Sequence, residues 1–208
     1  MKGNRRVLAL LAFCFTIIAP AYPQSASQGA SSAGAAAAAP TSGVRAEVLD
    51  QLKYFEKRFT SLAEMMPADK YTWRPGEGVR SVAEVFLHVS FANYNLPRII
   101  GTNPPAGLDL EGLEKSTTDK TKIIQRLHES FAHIREAVLS LSDADTDKKI
   151  KLFGQDNTYR GAMTLIIRHL GEHLGQSIAY ARVNGIVPPW TADFQRPQQP
   201  KPAEKPKQ

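Results

Sequence analysis

The chain has 208 residues, 42% of them apolar, which is enough for one compact domain with a real core plus tails. Its formal charge is +6, but the cations do not gather into one basic run, which argues against nucleic-acid binding. Cys14 is the sole cysteine and falls in an N-terminal apolar stretch, so the remainder can use neither a disulfide staple nor a cysteine nucleophile.

Residues 1–21 read as a secretory signal peptide: MKGNRR is basic, VLALLAFCFTIIA is apolar, and Ala19-Pro20-Ala21 has the small-x-small form of a cleavage site. The apolar run is too short for a comfortable membrane span, so no stable span is expected after cleavage. Cleavage after Ala21 removes Lys2, Arg5 and Arg6; 23 basic against 20 acidic residues then leave a charge near +3. The expected location is exported, periplasmic or secreted. Residues 22–43, rich in Ala, Ser and Gly, read as a flexible linker, 44–194 as the folded domain, and 195–208 as a disordered Pro/Lys tail.

Four long helices are expected in the domain. The first, over 44–66, carries a stripe of Val48, Leu52, Phe55, Phe59 and Leu62 and is closed by Pro67. Tyr71 and Trp73 then fall in a structured connection, suited to packing on the bundle end or to a pocket wall. Ser81-Val82-Ala83-Glu84 has the form of a capping box and opens the second helix, which runs to Leu96 before Pro97 imposes a break. A Pro- and Gly-rich loop over 101–112 leads to a third helix, 119–141, with the stripe Ile124, Leu127, Phe131, Ile134, Val138 and Leu141. KIKLFG suits a short extended piece. The fourth helix covers 159–184, with Gly185 as its stop and Pro188-Pro189 preventing continuation. Four helices of this length can bury their apolar stripes against one another as an all-α four-helix bundle.

The chemistry centres on histidine. His169 and His173 stand at i and i+4 on the fourth helix and share a face with Ala162, Leu165, Ile166, Gln176 and Tyr180. Buried imidazoles need partners, since an unsatisfied buried donor costs about 1–3 kcal/mol. Hydrogen bonds to carbonyls, Glu172 or Gln176 would satisfy them, and so would a metal. Two ligands one turn apart do not complete a site, and His88, a polar interruption beside Val82, Val85, Phe86, Val89 and Ala92, is the candidate third. Three imidazoles with an open position suit a divalent ion. Glu172 and Gln176 are candidates for orienting a ligand, as is Asn93. His128 and His133 lie off the third helix's stripe and read as surface residues. Leu170, not glutamate, follows His169, so the zinc-peptidase motif fails. Gly171 and Gly175, costly inside a helix, suggest close approach of a neighbour. Arg160 and Arg168 could attract an anion.

HLGEHLGQSIAYARVNGIVPP, together with TWRPGEGVRSVAEV and SVAEVFLHVSFANY, resembles the DinB/YfiT-like superfamily of four-helix metal-binding proteins over about Val44 to Pro189. The resemblance implies a DinB-like bundle with His88, His169 and His173 as the metal ligands and Gln176 as the glutamine that follows them. The metal expected is zinc first, with nickel, iron or manganese as alternatives. Two functions are expected from the residues and the resemblance together: a metal-dependent hydrolase or transferase acting on a small molecule, or a non-catalytic metal-binding or stress-associated envelope protein. No nucleophile–base pair stands out elsewhere, so no catalytic residue is assigned. Exposed bundle faces leave room for a homodimer.

Overall fold

The computed structural model describes residues 39–195. The expected signal peptide with Cys14, most of the linker and the tail beyond Gln195 lie outside the described residues. Among those described, the chain forms α1 (Gly43–Met65), α2 (Val82–Asn95), α3 (Lys120–Leu139), a hairpin of β1 (Lys149–Leu152) and β2 (Gln155–Thr158), α4 (Tyr159–Val183) and a short α5 (Pro189–Gln195). No described helix is long and apolar enough to cross a membrane.

The stripe of α1 is buried as expected: Val48, Leu52, Phe55, Phe59 and Leu62 all face the core. After Pro67 the chain doubles back, and the fully buried Tyr71 donates its hydroxyl to the Ala63 carbonyl at 2.8 Å. Backbone bonds from Val82 N to Trp73 O (3.0 Å) and from Ala83 N to Tyr71 O (2.9 Å) tie this return to the start of α2. That start is a complete capping box: the Glu84 amide donates to Ser81 Oγ at 3.2 Å, and the Ser81 amide donates to the Glu84 carboxylate at 2.6 Å. The hydrogen bond from the Ser81 backbone, with help from Arg74, holds the Glu84 carboxyl below its ordinary value despite burial. Pro97 ends the α geometry, and a 3-10 turn over Leu96–Ile100 closes at Gly101, whose φ of 94° lies in the left-handed region.

Asp119 caps α3 by accepting the Lys122 amide at 2.9 Å. Its stripe differs from expectation at both ends. Ile123, not Ile124, is fully buried, and Leu141 lies beyond the last turn. The KIKLFG stretch is β1, which turns through Phe153 and Gly154 and pairs antiparallel with β2. Both turn residues have positive φ, 51° and 79°, as a two-residue hairpin turn requires. Thr158 then caps α4. Pro188-Pro189 does stop α4 from continuing, yet Pro189 also starts α5, where its fixed φ and missing N–H cost nothing at the first helical position.

The dominant helix contacts pair α1 with α3 and α4, and α2 with the same two. The order around the bundle is therefore α1, α3, α2, α4. This order sets α2 beside α4, the arrangement that a three-histidine site spanning both helices requires.

Candidate metal centre

On α4 the core side is made by Ala162, Met163, Ile166, Leu170, Leu174, Ser177, Tyr180 and Ala181. His169 and His173 sit one step off that line and are half-buried, as is His88 on α2. The histidines thus occupy the rim of the α2/α4 seam rather than its centre, and Leu165, expected among the inward residues, is also only half-buried. One ring nitrogen from each of His88, His169 and His173 lies within 4.8 Å of the others, and the ring centroids are 4.5–5.2 Å apart. The His88 side chain retains 15% exposure, so the cluster opens towards solvent.

The nitrogens facing one another follow from the partners on their far sides. His88 Nδ1 lies 2.5 Å from Glu114 Oε1. A carboxylate can only accept, so Nδ1 carries the proton and Nε2 keeps its lone pair. Tyr180 donates to the Arg80 carbonyl at 3.1 Å and accepts from Gln176 Nε2 at 3.0 Å, which turns the Gln176 oxygen towards His173 Nδ1 at 2.8 Å. His173 is therefore also protonated at Nδ1, with Nε2 bare. The Nε2 atoms of His88 and His169 stand 3.1 Å apart, close to the about 3.3 Å that separates two imidazole nitrogens on one tetrahedral zinc. His169 Nδ1 is buried without a hydrogen-bond partner. A proton between the two Nε2 atoms makes a single hydrogen bond between two of the rings, whereas a cation can accept one lone pair from each of the three; His169 Nδ1 lacks a partner in either case. The donor set fits a divalent ion.

The electrostatics run the same way. Burial, with His173 and His88 adding to it, pushes His169 down to about 4. Burial also lowers His173, although its bond to Gln176 opposes this. Both imidazoles are thus neutral at pH 7, the form that ligates metal. Burial alone would raise the Glu114 carboxyl, but hydrogen bonds from Arg80 and His88 outweigh it and hold the group below its ordinary value.

The remaining sequence candidates are placed as follows. Gln176 lies against His173, as described. Glu172 is exposed and pairs with Arg168 at 3.6 Å along the helix. Asn93, five residues past His88, is buried and donates to Ser130 Oγ at 3.2 Å, between α2 and α3. Arg160 pairs with Asp147 at 2.5 Å. His128 is exposed near Glu56, but His133 is not a plain surface residue: its ring lies against Tyr94, Nε2 is buried without a partner, and burial lowers its pKa. The close helix approach expected at Gly171 and Gly175 is absent from both: a Cβ at Gly171 would meet Phe55 at 3.8 Å, an ordinary contact, and one at Gly175 would meet nothing within 4 Å.

Sequence reasoning missed Glu114. It belongs to a single 3-10 turn, Leu113–Lys115, in the long connection between α2 and α3, where no periodicity assigns a facing direction.

A family model described as the DinB superfamily matches residues 51–177. No curated protein matches the chain. Among solved structures, the fold is similar to that of a DinB-like protein from Bacillus cereus ATCC 10987, at TM-score 0.60 and 16% identity over 68% of this chain and 93% of that one. It is also similar to a DinB-like protein from Bacillus subtilis, at TM-score 0.54 and 20% identity, covering 67% and 92%.

Proposed function

Since this chain belongs to the DinB superfamily, we propose that it binds one divalent metal ion through His88, His169 and His173, with zinc the first candidate and nickel, iron and manganese the alternatives. The convergence of three imidazole nitrogens within 4.8 Å carries this reading. Two of the rings are already fixed at their far nitrogens by Glu114 and Gln176, so little reorganisation is needed to present lone pairs. When bound, such an ion would supply Lewis-acid polarisation of a small molecule or of water, because three protein ligands leave a position open. The half-buried rim gives that position access from solvent. On this basis we read the protein as a metal-dependent hydrolase or transferase acting on a small molecule, exported by the basic and apolar segments at its N-terminus.

One observation favours a non-catalytic, metal-holding role in the envelope instead. Among the described residues, the three carboxylate or amide side chains placed around the histidines all have partners: Glu114 pairs with Arg80 and His88, Gln176 with Tyr180 and His173, and Glu172 with Arg168. None is left over as a general base. Zinc titration of the chelator-treated protein tests the shared claim, with one equivalent bound by wild type and none tightly by His173→Ala. Cobalt-substituted protein separates the two roles. A visible spectrum that shifts on adding azide reports an exchangeable position, as an enzyme needs; a spectrum indifferent to added ligands favours the holding role.

A further inference from the structure

Arg80 stands immediately before the N-cap of α2, and its two ends reach two different histidines. Its side chain grips Glu114, Nε to Oε2 at 2.8 Å and Nη2 to Oε1 at 3.4 Å, and the same Oε1 accepts His88 Nδ1. Its carbonyl accepts the Tyr180 hydroxyl, which holds Gln176, which in turn holds His173 Nδ1. The backbone at this point is fixed from both sides. The capping box begins at the next residue, and Trp73, tied to Val82, places its ring edge-on to Tyr180 at 5.3 Å between centroids.

We propose that Arg80 is the positioning residue of the metal centre, aligning His88 through Glu114 and His173 through Tyr180 and Gln176, and so coupling α2 to α4. This rests on the reading that the triad holds a metal. Its consequence is a graded ligand set. His88 is backed by a carboxylate, which strengthens it as a donor, His173 by a neutral amide, and His169 by nothing. Two rings are set before metal arrives, and the third adjusts to it.

The test is cobalt(II) affinity against a competing chelator, read together with the visible spectrum, in the full chain. Glu114→Ala should weaken binding roughly 10- to 100-fold and shift the spectrum, and Glu114→Gln, which keeps an acceptor oxygen, should recover part of the loss. Arg80→Met keeps the carbonyl and removes only the guanidinium. It should weaken binding by roughly 10-fold, and no further loss should appear when it is added to Glu114→Ala, because it acts through that carboxylate. Tyr180→Phe should weaken binding without further effect in a Gln176→Ala background, and its loss should multiply with that of Arg80→Met. Wild-type affinity and spectrum in both Arg80→Met and Tyr180→Phe would overturn the positioning role while leaving the metal reading intact. Failure of wild type to bind cobalt would overturn both. A measurement on the unaltered protein covers variants that fail to fold. Long-range 1H–15N correlation of the metal-free chain should find His88 and His173 protonated at Nδ1, and a proton on Nε2 of either would refute the arrangement.

Discussion

Acidifying the metal-free protein should destabilise it through its histidines before its carboxylates titrate. His169 is held down to about 4 in the fold, chiefly by burial, against about 6.5 in an unfolded chain. As pH falls through 6.5 the unfolded state takes up a proton that the folded state refuses. The stability contributed by the neutral, buried ring is therefore complete above about pH 6.5, is lost as pH falls, and is gone once the folded value near 4 is passed. At about 1.4 kcal/mol per unit the full shift would amount to about 3 kcal/mol; screening of a part-buried ring reduces this to about 1–2 kcal/mol. His173 shifts in the same direction and adds to the loss. The assay is urea unfolding of the chelator-treated protein between pH 7.5 and 4.5, for wild type and for His169→Gln, whose side chain does not titrate. Wild type should lose about 1–2 kcal/mol more than the variant over that range. Parallel profiles would refute the argument that His169 is buried in its neutral form.

Three further outcomes follow from packing and backbone geometry. Gly175→Ala should raise stability by about 0.5–1 kcal/mol in urea unfolding, because the site is exposed, helical and open to a Cβ; a loss instead would reveal a crowding the structure does not contain. Ser81→Ala should cost about 1 kcal/mol by removing the acceptor for the Glu84 amide, seen as a lower urea midpoint at unchanged slope. Phe131→Ala should cost about 3–5 kcal/mol, since the ring is fully buried against Phe59 with centroids 6.1 Å apart.

The helices were legible because each long element carries an apolar stripe at helical spacing, and the start of α2 because a capping box is a local signal. Ser81 and Glu84 find each other without any tertiary contact. His169 and His173 share a face by geometry alone, so their pairing needs only the helix to form. Bringing His88 to them depends on the order of helices around the bundle, which no local pattern carries. His88 stands out as a polar interruption among the apolar residues of its helix, the resemblance implies its place with the other two, and the α2/α4 seam accounts for that placement. The outer partners divide in the same way. Gln176 lies three residues from His173 on one helix and could be read. Glu114 lies 26 residues from His88 in an aperiodic loop and could not. Asn93 is close to His88 in sequence, yet five residues along a helix turn it towards α3 and Ser130. Gly171 and Gly175 misled because composition records the cost of a glycine and not how much room lies beside it.

The most direct test is elemental analysis of the protein purified without a histidine tag or chelating column, set beside His88→Ala and His169→Ala. Near one divalent ion per chain in wild type, absent from both variants, is the predicted result and identifies the ion. Wild type that carries no metal after remetallation with zinc, nickel, iron and manganese, or variants that retain it in full, would contradict the three-histidine centre.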